Sequence, residues 1–249
     1  MALQPESMGM DRKLDVGGTL SQAFSIYGSL AGVFIPLALA LFLVVAVING
    51  IVADGGSLIL LPISFAVTVI AGTLYAGMVV TAVGDVQDGK REFSVNDLAS
   101  SASHVILPLI GAGILAGIGI GIGILLFVIP GLILMTIWAV IAPVIVLERV
   151  GVMASFGRSR ELVRDNGWRV FGVIVSVAII VFVVRAILGA IAVSIDDSLV
   201  ARIIFDWIGS SLTAPITAIV AAVIYFHLKG IKEGGAPTPP PVEPGPATV

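Results

Sequence analysis

Residues 149–192 read RVGVMASFGRSRELVRDNGWR and then VFGVIVSVAIIVFVVRAILGAIA. The first part carries five arginines, Arg149, Arg158, Arg160, Arg164 and Arg169. The second part, 170–192, is almost unbroken Val, Ile, Leu, Ala and Phe, with a single charge at Arg185. About 20 apolar residues in a helix cross the ~30 Å of bilayer hydrocarbon. Short loops rich in Lys and Arg resist crossing during insertion. A basic segment running straight into such a stretch therefore predicts a transmembrane helix entered from the cytoplasmic side.

Five further runs of this kind surround it, at 31–52, 58–83, 105–128, 131–147 and 207–228. The basic residues fall in alternate gaps between the six. Arg12, Lys13, Lys90, Arg91, the five arginines above, Lys229 and Lys232 share one side, and only Arg202 falls on the other. Acidic Asp54, Asp196, Asp197 and Asp206 lie on that other side. This predicts a multi-pass protein of the cytoplasmic membrane with both termini cytoplasmic. Hydrophobic residues make up 58% of 249 positions and charged ones 12%, too apolar a surface for a water-soluble domain but one that lipid solvates. The first 27 residues show no signal-peptide pattern, so the first span is expected to act as its own insertion signal.

Three inner segments have helical spacing of their own. Thr19-x-x-Gln22 resembles a capping box ahead of Leu20, Phe24 and Tyr27, and Ser94-x-x-Asp97 does the same ahead of Leu98. The third, 151–166, sets Val152, Met153, Phe156 and Val163 on one face, before an Asn166-Gly167 stop and Trp168 at an interfacial position. The expected fold is thus all-α: six transmembrane helices in three hairpins, each preceded by an interfacial amphipathic elbow helix. The expected organisation is a cytoplasmic N-terminal segment at 1–18, a transmembrane domain at 19–230 and a Pro-rich, disordered cytoplasmic tail at 231–249. Proline is expected to kink five spans, at Pro36, Pro62, Pro108, Pro143 and Pro215. The outer connections read as 53–57, a turn at Ile129-Pro130-Gly131, and a longer acidic loop at 193–206.

Within the third span, GAGILAGIGIGIG (111–123) places Gly113, Gly117 and Gly121 on one helical face and Gly119 with Gly123 on a second. Such a glycine zipper lets another helix approach closely. Packing inside one bundle, self-association between copies and a pore lining all fit it. Arg185 is the candidate intramembrane charge site. It either faces a partner among Asp196, Asp197 and Asp206, or snorkels to the outer headgroups. Arg158, Arg160, Arg164, Trp168 and Arg169 are the candidate headgroup and interface residues. Asn49, Thr68, Thr73, Thr136, Ser176, Ser210, Ser211, Thr213 and Thr217 are expected to bond one turn back or across a helix contact.

With no cysteine and two isolated histidines, His104 and His227, the chain shows no thiolate, metal or nucleophile pattern. No catalytic or cofactor-binding residue is expected, and no enzyme activity. The expected role is structural, lipid-interacting or accessory, with small-solute or lipid transport as the alternative. Expected partners are the anionic lipids of the inner leaflet, a second copy or another membrane protein, and not nucleic acid.

Residues 130–169 resemble the repeated core of the glycerophosphoryl diester phosphodiesterase membrane-domain family. The likeness lies in Pro130-Gly131, Pro143 and Leu147-Glu148, then Ala154, Ser159 and Leu162, and finally Asn166, Trp168 and Arg169. Leu20, Ala23, Phe24 and Tyr27 are similar to that family's first helix. The resemblance implies a six-helix bacterial membrane bundle. It carries no phosphodiester hydrolysis over, because the family's separate catalytic domain and its metal-binding residues have no counterpart in these 249 residues.

Overall fold

The computed structural model describes residues 13–55, 60–87, 105–195 and 198–233, and every regular element among them is helical. In chain order these are α1 (Val16–Gly55), α2 (Leu61–Gln87), α3 (Ile106–Leu126), α4 (Val128–Ile137), α5 (Ile141–Glu148), α6 (Val152–Val163), α7 (Gly167–Ile195) and α8 (Leu199–Glu233). Taking α4 and α5 together as one interrupted span, six helices are long and apolar enough to cross a membrane.

α8 is the centre of the bundle. In its most apolar stretch 61% of residues are buried, against 17% in α3 and in α7. α1, α2, α5, α6 and α7 all pack on it. From Pro215 to Leu228 its buried residues point in every direction round the helix, including Ile219, Ala222, Val223 and Tyr225. α1 lies closest alongside. A Cβ at Gly50 of α1 would sit 2.2 Å from Ile203 Cγ1 of α8. Lipid tails are as apolar as these side chains, so packing and interhelical hydrogen bonds hold such helices together. Tyr27 OH donates to the Leu212 carbonyl at 3.2 Å, Tyr75 OH to Phe34 at 2.9 Å and Trp207 Nε1 to Leu39 at 2.7 Å. Each such bond contributes about 0.6 kcal/mol.

The prolines divide into two kinds. Pro36 and Pro215 lie inside α1 and α8. Pro62, Pro108 and Pro143 occupy the first turns of α2, α3 and α5, where the missing N–H has no intrahelical partner to lose and no kink is required. Pro130 likewise sits in the first turn of α4. The third connection is therefore not Ile129-Pro130-Gly131. Phe127 alone, extended at φ −156° and ψ 133°, reverses the chain.

Other expectations also shift. No break separates an elbow from the first span: α1 runs unbroken through Tyr27 and Leu30. Its N-terminal donors are capped by Asp15, whose carboxylate accepts from Gly17 N and Gly18 N, and not by Thr19. The second elbow (Ser94, Asp97) lies outside the described residues, as do 234–249, while 231–233 continue α8. Residues 193–195 and 199–206, expected in the outer loop, are helical instead, and 196–197 lie outside the described residues.

The glycines of α3 serve different neighbours. A Cβ at Gly113 would fall 2.4 Å from Thr73 Cγ2 of α2, and one at Gly117 3.1 Å from Phe65. Gly119 lies under the Trp138 ring, and Gly123 meets the backbone of Gly131 in α4, where a Cβ would be 2.9 Å from its Cα. Gly121 has nothing within 4 Å. A methyl facing backbone cannot be relieved by a rotamer change, whereas one facing open space simply favours the helix. We expect Gly131→Ala, whose Cβ would lie 2.7 Å from Ile124 N, to lower stability by about 1–3 kcal/mol. Gly121→Ala should raise it by up to about 1 kcal/mol. Unfolding of both variants in detergent checks the opposite signs.

Candidate functional site

The fourth span breaks at Trp138, Ala139 and Val140, between α4 and α5. The broken end is covered by α6: buried Ser159 donates to the Ile137 carbonyl at 2.8 Å, and Phe156 meets Trp138 edge-on at 4.8 Å between centroids. α6 is thus tucked against the bundle by its Ser155, Ser159, Leu162 and Val163 side. Met153, expected beside Val152 and Phe156, is instead exposed.

Around α6 one end of the bundle carries a network of charges. Glu148 ends α5 and is only 17% exposed at its side chain. Arg158 Nε donates to both its carboxylate oxygens, at 3.2 and 3.0 Å. Buried Tyr225 of α8 donates to Glu148 Oε1 at 2.9 Å, and Lys229 Nζ donates in turn to Tyr225 OH at 3.2 Å. Arg158 also pairs with Glu161 at 3.2 Å and with Glu233 at the end of α8. The Glu148 bond, then those to Glu233 and Glu161, raise the affinity of this guanidinium for its proton further still. Lys232 of α8 completes the clasp, bonding Asp165 at 2.9 Å. That bond and the ammonium's charge hold the Asp165 carboxyl below its ordinary value of 3.8.

A second network fixes the start of the described chain. Leu14 is buried, its N–H donated to Asn166 Oδ1 and its carbonyl accepting from Arg169 Nη1, each at 3.0 Å. His227 of α8 lies between two α1 residues, with Nδ1 2.9 Å from Thr19 Oγ1 and Nε2 2.8 Å from Gln22 Oε1. Among the described residues no three His, Cys, Asp or Glu side chains converge as metal ligands would.

The proposed headgroup residues therefore have different surroundings. Arg158 is committed to three carboxylates, and Arg169 to the Leu14 backbone. Arg160, Arg164 and Trp168 are exposed, Trp168 at 86%. Arg185 joins α7 to α8: Nη1 donates to Asp206 Oδ1 at 3.1 Å and Nη2 to Ser210 Oγ at 2.9 Å. Of its three candidate partners, Asp206 is the one the structure pairs with it; Asp196 and Asp197 lie outside the described residues.

The Glu148–Tyr225 pairing and the His227 contacts escape a reading of local sequence. One signal was present: Tyr225, Lys229, Lys232 and Glu233 recur at helical spacing on one side of α8. No family model matches the chain, and comparison with curated proteins and with solved structures found no match. The resemblance of residues 130–169 rests on the residues quoted for it.

Removing Arg158 leaves the half-buried Glu148 charge without its main partner. Arg158→Leu should lower stability by about 1–3 kcal/mol, while exposed Arg160→Leu stays within about 0.5 kcal/mol. The Asp165 contribution has a defined pH window. Its folded value lies below its unfolded one, so the contribution is complete above the ordinary carboxylate range and fades as pH falls through the lowered value. Unfolding midpoints of Asp165→Asn and the parent should differ by a constant amount from pH 8 to about 5 and converge only in stronger acid.

Proposed function

We propose that this chain is a non-enzymatic, multi-pass protein of the cytoplasmic membrane, with both termini inside. Its role is structural and lipid-interacting. The six apolar helices support membrane insertion. The observation that carries the lipid reading is the outward face of α6. Met153, Gly157, Arg160 and Arg164 stand at i, i+4, i+7 and i+11, one exposed stripe on a helix whose other side is buried. Trp168 follows just beyond the helix end.

An apolar side chain, two unclasped guanidiniums and an exposed indole in a row suit the boundary between acyl chains and anionic headgroups. α6 is then an elbow lying on the inner surface and leading into the α7–α8 hairpin. Arg158, expected to share this task, contributes instead to holding α6 on the bundle.

The break in the fourth span favours a second reading, transport of a small solute or lipid, since interrupted helices build solute sites. Here the break is filled from within. The carbonyls of Thr136, Ile137, Trp138 and Val140 all have donors, from Ala139, Ser159, Ile141 and Val144. The lipid-surface role is the better supported.

Each near-surface Arg contributes about 1 kcal/mol of attraction to anionic lipid. The double variant Arg160→Glu/Arg164→Glu should retain anionic phospholipid at least about tenfold less well in native mass spectrometry. Its thermal stability should be unchanged. Equal retention of anionic lipid would overturn the lipid-surface role, and solute flux in protein-containing liposomes would favour transport instead.

A further inference from the structure

At the other end of the bundle, Arg185 and Asp206 form an ion pair that the packing leaves uncovered. Their side chains are 45% and 47% exposed. Among the described residues Arg185 has no partner beyond Asp206 and Ser210, so other guanidinium N–H groups are left over on an exposed side chain. Yet the pair is far from the helix ends. Residues 186–195 extend α7 for about 15 Å beyond Arg185, and residues 199–205 extend α8 for about 10 Å before Asp206.

That extension is mostly apolar and outward-facing, with Ser194 and the exposed Arg202 as its polar members. Ile187, Ile191, Val193, Ile195, Val200 and Ile204 are all exposed. Such a collar belongs in hydrocarbon rather than water, which sets the ion pair well below the outer headgroups. Snorkelling does not rescue Arg185, because its guanidinium is turned sideways onto α8 at the level of Asp206. A headgroup would have to sink through the collar to reach it. Charges at this depth call for a polar partner brought within the membrane.

We propose that the partner is a second copy of this chain, docked through the α7–α8 face. The pair is self-complementary. One positive and one negative group stand side by side at one depth on neighbouring helices. A two-fold axis along the membrane normal preserves depth and exchanges left for right, so Arg185 faces the partner's Asp206 and the reverse. The four charges close a ring, and the apolar collars above it pack against each other. Gly189, one turn outward from Arg185 and with nothing within 4 Å, leaves room for the approach. The interface rests on the bilayer placement of the bundle but is independent of the anionic-lipid surface, so Arg160→Glu/Arg164→Glu should dimerise normally.

Charge complementation between chains tests it. Differently labelled copies are reconstituted in lipid nanodiscs or vesicles, and dimers are counted by single-molecule photobleaching. Arg185→Asp alone and Asp206→Arg alone should each weaken self-association by about tenfold or more. Mixed with each other, the two variants should form mixed dimers within about threefold of the parent's affinity. The pair within each chain stays broken in the mixture, so restored association comes from contacts between copies. Gly189→Leu leaves the ion pair intact and should abolish dimers without lowering thermal stability. Parent chain that stays monomeric at every protein-to-lipid ratio overturns the proposal. So does a mixture no tighter than the single variants, normal dimerisation of Gly189→Leu, or a phospholipid whose retention depends on Arg185.

Discussion

A bilayer offers no water to a helix, so each buried polar group in a membrane bundle must find its hydrogen bond inside the protein. Among the described residues no buried side-chain nitrogen or oxygen lacks a partner. Much of this arrangement converges on α8. Thr213, Ser211 and Thr217 bond within its own helix, one turn back. Its indole at Trp207 and its carbonyl at Leu212 bond α1. Tyr225 and His227 reach α5 and α1 at the end where α6 lies. A helix buried on all sides has to be satisfied on all sides, and this sets the positions of the five helices packed round it.

The same demand sorts the arginines. Arg158 stands where α5, α6 and α8 meet, and three carboxylates surround it. Arg160 and Arg164, on the far side of the same helix, are left to the surroundings. Arg185 has one carboxylate and one hydroxyl from α8 and an open side. One residue type is thus used as an internal clasp, as a surface charge and as an unfinished pair. The difference follows from how much carboxylate each meets within its own chain. Breaking the first kind leaves a half-buried charge and costs stability, whereas altering the second changes only what the surface attracts.

The six apolar stretches were legible because hydropathy is a local property: twenty residues suffice to show it. The hydroxyls that bond one turn back, such as Thr73, Thr136 and Ser176, were legible for the same reason. What depends on distant partners was not. Glu148 and Tyr225 are 77 positions apart, and Leu14 and Asn166 152 apart. Even local signals misled where one residue type has two uses. Proline breaks a helix in its interior and suits its first turn, and only knowledge of the helix start separates Pro36 from Pro108. The acidic stretch at 193–206 looked like a loop because its charges were read as solvent-facing. Residues 193–195 and 199–206 are helical, with Asp206 turned to Arg185.

The central claim is that α8 is the axis of a membrane-spanning bundle, and that the charged end carrying α6 is the one we propose to be cytoplasmic. Because the chain has no cysteine, single introduced thiols report position without interference. Labelling intact cells or oriented vesicles with a membrane-impermeant maleimide at Gly157→Cys, Gly55→Cys and Phe182→Cys tests it most directly. Positions 157 and 55 have open space around them, and Phe182 is 71% exposed on the isolated bundle. The account predicts reaction at 157 only from the cytoplasmic side, at 55 only from the outside, and none at 182 until detergent is added. Reaction of all three from one side, or ready aqueous labelling at 182, would contradict it.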